Sequence, residues 1–561
     1  MSDSENATVS NFRETEKNGV IIPEKKKQEN DMPSKKQTSI PLYIRTLRCT
    51  VYILIKAINV AYVPVFIYRV FQKPKKCSPV TNPLLKISAT ELVKKIRKKE
   101  ISCEEVVQAY ITRIKEVNPL LNAVIEDRFA DALEDARKVD LLVCSNEFLS
   151  NGEKIIQEYP LLGVPLTVKG SLAVKGMKFT SGTVTRKECK AEFDADAVAL
   201  ARKAGAIPLV VTNVPELCMS WETTNKLHGT TQNPHDSTRT CGGSSGGEGS
   251  LLGAGASLIG IGSDIAGSLR LPAHFCGVWG HKPTPGAVSF DGHYPSCLQR
   301  DKWEAVFTVG PMARYASDLK TLLNVITIPE NKQKLDLEKK LDIKKIKVFY
   351  SEHQDFYWQK PNRSCSGAVR KVVDHFRNIC DTDPKEVDLR LKENFPDLGA
   401  LDILGINDID DIFDGNSNGA WAEFFRYITF SSKYTFMPIA CGLLRKIASS
   451  ISEENKSKIK ELLEEYKNSY QEMLKDHGVI IVPSFPLEAP KHGDVLRTAL
   501  FNGYLSLFNW LGFPVTNCPV GITKDGLPVG VQVVSLPYGD KYTLAIAEEI
   551  ERAFGGWVEP S

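Results

Sequence analysis

The chain has 561 residues, 42% of them hydrophobic, and its 71 basic and 68 acidic side chains nearly cancel to a net charge of +3. Those charges are spread along the chain, which excludes the concentrated basic stripe of a nucleic-acid binder. The 13 cysteines form no C-x-x-C pair, there is no H-E-x-x-H, and the spacings are irregular. Neither a zinc site nor a secreted disulfide framework is expected, and no metal or cofactor is implied.

Residues 1–44 are rich in Ser, Glu, Asn and Lys, a composition that buries too little surface to offset the entropy of ordering, and they read as a disordered polar tail. Residues 45–73 read as a membrane helix. Their apolar core, 49–68, is long enough to span a bilayer and is bracketed by Arg45, Arg48, Arg69, Lys73, Lys75 and Lys76. The polar tail before it argues against a cleaved signal peptide. Lys56 and Pro64 weaken a clean span, so a spanning helix and an interfacial one both fit.

Past the linker QKPKKCSPVTNP, residues 84–558 read as the globular region. Two capping boxes open it, Ser88-x-x-Glu91 and Ser102-x-x-Glu105; the second helix is expected to stop at Asn118-Pro119. Apolar runs at 162–169, 206–212, 257–262, 479–484 and 529–534 then alternate with helical stretches, which is an α/β pattern. Several of these runs lack a period of two, as strands covered on both faces do. The charged stretch 452–474 reads as a solvated surface helix. The apolar stretches 434–444 and 498–515 read chiefly as buried, with membrane docking and an acyl channel as their functional alternatives.

The densest local signal is 241–268, CGGSSGGEGSLLGAGASLIGIGSDIAGS, in which ten of 28 residues are glycine. It places the hydroxyls of Ser244, Ser245 and Ser268 among main-chain amides able to receive an anion. Gly242-x-Ser244-x-Gly246 matches a nucleophile elbow formally, but DSTRTC before it is not a strand; no Gly-Lys-Ser/Thr closes a P-loop either. A serine can instead be activated by a lysine made neutral by burial, and Lys169, ending the run LGVPLTV, is the candidate.

Lys169, GGSSGG (242–247) and SDIAGS (263–268) followed by Leu-Arg-Leu-Pro resemble the signature of the amidase signature family. The likeness continues through GVWGHKPT (277–284), Gly310-Pro311-Met312 and GLPVGVQVV (526–534). Within the family, NVPELC (213–218), GGSSGGEG (242–249) and FGGWV (554–558) are most similar to the fatty-acid amide hydrolases. The resemblance implies a large twisted mixed β-sheet sandwiched between α-helices. It also implies Ser268 as nucleophile, Ser244 as bridging serine on a cis peptide, and Lys169 as base. The amides of Ile265, Ala266, Gly267 and Ser268 would form the oxyanion hole. Ala266 replaces a common glycine, which its Cβ permits only at negative φ, and Gly170 replaces a common acidic residue. The expected substrates are fatty-acid primary amides and N-acylethanolamines; the expected partners are the membrane and a second copy in a homodimer, with the catalytic region in the cytosol. The competing expectations are a glutamine-hydrolysing amidotransferase subunit and a catalytically silent membrane scaffold.

Overall fold

The computed structural model describes residues 71–297, 299–352, 361–389, 413, 419–449, 452–494 and 503–560. The polar tail and the apolar segment 49–68 lie outside the described residues. Among those described, no helix is long and apolar enough to cross a membrane.

Eleven strands form one sheet. In chain order the strands are β1 (Val124–Asp127), β2 (Pro165–Lys169), β3 (Ile207–Thr212), β4 (Thr224–Asn225), β5 (Gly229–Thr230), β6 (Ile259–Asp264), β7 (Trp279–Lys282) and β8 (Thr308–Ala313). There follow β9 (Lys347–Tyr350), β10 (Lys385–Glu386), β11 (Gly478–Pro483), β12 (Val515–Ile522) and β13 (Pro528–Val534). The sheet order is β1-β3-β2-β6-β8-β7-β12-β13-β11-β9-β10, and β4-β5 make a separate ribbon. Strands β3, β2 and β6 run parallel, as do β11, β9 and β10, while the strands between them pair antiparallel. The sheet is therefore mixed. β2, β3, β6, β8, β11 and β13 are buried at every position, which explains why their sequences do not alternate: both faces are covered.

The helix Cys103–Leu121 starts at a reciprocal capping box, with Ser102 accepting from Glu105 N–H and Glu105 accepting from Ser102 N–H. Before the helix Ala89–Arg97, Ser88 accepts from Glu91 N–H, but the Glu91 carboxylate turns to Lys94 and Lys95, and Asp318 caps Ala89 and Thr90 N–H in its place. The expected stop at Asn118-Pro119 falls short. The helix runs on to Leu121 and ends at left-handed Asn122. Asn118 Oδ1 supplies the stop indirectly, by accepting from Ala123 and Val124 N–H beyond the cap. The helix Glu453–Leu474 is mostly exposed, yet Leu463, Tyr466, Tyr470 and Leu474 form a buried stripe against Phe485 and Phe513. Of 498–515, the helix Gly503–Trp510 fills the core through Tyr504, Leu505, Leu507 and Phe508. Each such side chain contributes about 1.5–3 kcal/mol by leaving water.

Candidate active site

Strands β2 and β6 lie side by side in the sheet, third and fourth from the β1 edge, with Leu166, Thr167 and Val168 opposite Ile259, Gly260 and Ile261. This register brings the two carboxyl ends together, where crevices open in parallel sheets. β2 ends in Lys169, and β6 carries Ser263 near its end and leads into the loop to Ser268. The glycine-rich segment closes the third side. The Gly243–Ser244 peptide is cis, and Ser245 stands at the start of the helix Gly246–Gly253. No strand ends at Ser244, so the elbow of an α/β hydrolase is absent here, as the sequence indicates.

Lys169 is completely buried, with Ser244 and Ser268 2% and 5% exposed. The Lys169 amine lies 2.7 Å from Ser244 Oγ and 2.9 Å from Ser263 Oγ. Burial pushes its pKa down, against the opposing pull of Cys218, Asp264 and Glu248. Ser268 is tied to the glycine-rich segment through its carbonyl, which accepts from Ser245 N–H at 3.3 Å. Ser245 turns its own hydroxyl to Ser263 O instead of the lysine.

Asp264 holds the loop bearing Ser268. Its two oxygens accept from Gly267 N–H at 2.7 Å and Leu269 N–H at 3.0 Å, fixing the backbone on both sides of Ser268. Arg270 forks onto the same carboxylate at 3.1 and 3.0 Å and reaches Gln532 and Leu505 O. Burial would raise the Asp264 pKa, but Arg270, Leu269 N–H and Asn509 together hold it well below the carboxylate range.

Of the amides expected to receive an oxyanion, that of Gly267 is already committed to Asp264. Gly267 instead makes the turn, at φ +95°, where a Cβ would lie 2.6 Å from Leu505. The N–H groups of Ile265, Ala266 and Ser268 have no acceptor among the described residues. Ala266 avoids the left-handed region, as its Cβ requires, and its carbonyl accepts from Trp221 Nε1 at 2.9 Å. Gly170 also has a physical reason. A Cβ there would lie 2.6 Å from both Thr212 O and Ile125, leaving no room for an acidic side chain.

Four groups at the site escape sequence reading: Ser263, Glu248, Cys218 and His293. Glu248 is buried on β2 and β3, accepting from Thr167 and Thr212 at 2.5 and 2.8 Å, and burial pushes its pKa up to about 7. Cys218 belongs to NVPELC and carries left-handed backbone, as does Leu217. His293 lies behind Ser263. Ser263 and Glu248 sit inside the quoted motifs; His293, alone in DGHYP, has no local signal. Among the described residues no cluster could hold a metal ion.

A buried lysine hydrogen-bonded to a serine, beside a glycine-rich turn on a mixed sheet, defines the class: the chain belongs to the amidase family, whose model matches residues 105–544. It is a hydrolase acting on amide C–N bonds. Among its relatives, human "Fatty-acid amide hydrolase 2" is 39% identical over 500 residues, covering 86% of this chain and 92% of that one. "Fatty-acid amide hydrolase 2-B" of Danio rerio is 42% identical over 507 residues, covering 87% and 93%. The fold matches the solved "Fatty acid amide hydrolase" with a TM-score of 0.68 at 23% identity, over 85% of this chain and 87% of that one.

Proposed function

We propose that the protein is a membrane-associated serine hydrolase that cleaves fatty-acid primary amides and N-acylethanolamines through a Ser268–Ser244–Lys169 relay. The observation that carries this is the fully buried Lys169 amine 2.7 Å from Ser244 Oγ. Neutral Lys169 takes the Ser244 hydroxyl proton as Ser244 takes that of Ser268, and Ser268 Oγ bonds to the amide carbon. The N–H groups of Ile265, Ala266 and Ser268 receive the oxyanion, each worth about 2.7–4 kcal/mol. As the C–N bond breaks, the proton returns from Lys169 through Ser244 to the departing nitrogen. Water, deprotonated by the same relay, then releases the fatty acid.

The lipid substrate rests on the named relatives and on surface character. Trp421, Phe425 and Ile428 on the helix Gly419–Ile428, with Phe430 after it, are 51–98% exposed. The stretch 434–444 is only half-buried beside them, which suits a cytosolic catalytic region docked on a bilayer. The apolar segment 49–68 belongs to the same reading.

Ser268→Ala is expected to abolish fluorophosphonate labelling and turnover; labelling of that variant at the parent rate would overturn the assignment. Purified protein offered oleamide, anandamide and glutamine is expected to hydrolyse the two lipids. Glutamine turnover with both lipids untouched would replace this reading with that of a glutamine-hydrolysing subunit.

A further inference from the structure

On the side of Lys169 away from Ser244, hydrogen bonds run through Ser263 to His293 and end on a backbone carbonyl. Lys169 Nζ is 2.9 Å from Ser263 Oγ, and Ser263 Oγ is 3.0 Å from His293 Nε2. Ser171 Oγ lies 2.9 Å from the same ring nitrogen. His293 Nδ1 lies 3.0 Å from Pro295 O. The ring is buried and packs on Phe307 at 4.7 Å between centroids.

A carbonyl oxygen can only accept, so Nδ1 carries the ring's proton and donates it to Pro295. Burial pushes the imidazole pKa well down, so the ring is neutral in the working range. Nε2 is therefore bare, and its single lone pair faces the Ser263 hydroxyl, shared with that of Ser171 in a three-centre bond. With its hydrogen turned toward His293, Ser263 can only accept from Lys169. A neutral amine has two N–H bonds and one lone pair; one N–H goes to Ser263, and the lone pair is left for Ser244 Oγ–H.

We propose that His293 is a positioning residue that, through Ser263, sets the direction of the hydrogen bonds at Lys169 and reserves the amine's lone pair for Ser244. This rests on Lys169 being the base. Without an acceptor at His293, the Ser263 hydroxyl turns round and donates to that lone pair, blocking the amine with the wrong serine. Loss of His293 is harmful because Ser263 has a hydrogen to misdirect, so removing the Ser263 hydroxyl as well should remove the harm.

The test uses the full chain with oleamide turnover and fluorophosphonate labelling in His293→Phe, Ser263→Ala, the double variant, His293→Gln and Lys169→Met. His293→Phe is expected to lower kcat about 10- to 100-fold, short of the full 10²–10⁴ of general-base catalysis, with KM moving less than about 2-fold. His293→Gln, whose amide oxygen accepts in place of Nε2, should recover most of the rate. In the Ser263→Ala background, His293→Phe should change kcat less than about 3-fold. If the phenylalanine variant does not fold, His293→Met makes the same comparison.

An unchanged kcat in His293→Phe, or an equal loss in both backgrounds, overturns the inference, because packing damage alone would not depend on Ser263. Parent-rate labelling of Lys169→Met overturns the lysine base and this inference with it. Loss of labelling in Lys169→Met beside an unaffected His293→Phe overturns only the latter.

Discussion

Replacing Asp264 by asparagine keeps the shape of the side chain and removes its charge. The carboxylate collects five donors: Gly267 N–H, Leu269 N–H, two from Arg270, and Asn509 Nδ2 at 2.9 Å. An asparagine oxygen can keep those on Oδ1, but its NH₂ then faces Leu269 N–H and Arg270 Nε–H, donor against donor. Two orphaned donors cost about 1–3 kcal/mol each, and one of them belongs to a guanidinium with no exposure to water. That agrees with the roughly 3–5 kcal/mol expected on breaking a buried ion pair, a large part of a typical total of about 5–15. Urea unfolding followed by tryptophan fluorescence should show this loss, and kcat should fall with it because the released Leu269 N–H adjoins Ser268. The folded pKa of Asp264 lies below its ordinary 3.8, so its stabilisation is present above that value and fades as pH falls through the folded one. The deficit should therefore be equal at about pH 6 and pH 8. An Asp264→Asn protein within about 1 kcal/mol of the parent, with kcat unchanged, would refute the reasoning.

The base in the relay must be uncharged, and its neutral fraction grows with pH, so kcat/KM should climb between about pH 6 and pH 9. A flat profile would exclude Lys169 as the base. Gly170→Ala puts a methyl group 2.6 Å from the Thr212 carbonyl on β3. Overpacking there should cost about 1–3 kcal/mol in thermal unfolding, and an unshifted melt would show that β3 yields freely.

The strands, Lys169 and Ser244 are legible because their signals are local, and the structure brings the lysine amine within 2.7 Å of the Ser244 hydroxyl. A lysine at the end of an apolar run and serines in a glycine-rich stretch stand out without a fold. A buried lysine alone would not have sufficed: Lys282 is equally buried and pushed down to about 7, but its amine turns to Pro283 O and meets no serine. What the chain order hides is nonlocal. His293 gains meaning only because its loop pairs with the segment after β2, Leu172 opposite His293 and Ser171 Oγ on the ring, and the Glu248 partners arrive from two other strands. Gly267 was misread for a related reason, since its amide looks free until Asp264, three residues back, folds onto it. The buried stripe of the helix Glu453–Leu474 was masked by the charges around it.

Two carboxylates near the Lys169 amine would ordinarily keep it protonated, and burial prevails because neither acts as a full negative neighbour. Arg270 answers the charge of Asp264. Glu248 is itself raised to about 7 by burial, so near neutrality it carries only part of a charge. Glu248→Gln removes the remainder while keeping the local bonding. The amide oxygen can accept from Thr212, and its NH₂ can donate to Thr167 Oγ1 as that hydroxyl turns to Ser257, 2.8 Å away. With one fewer anion favouring the ammonium, the lysine should lose its proton more readily. The acid limb of the kcat/KM profile should then move to lower pH, with the plateau kept. A limb that stays in place would show that Glu248 is neutral in the working enzyme or that its charge does not reach the lysine; a limb that moves upward would reverse the sign of its action on the lysine, and the account of how the amine stays neutral would fall.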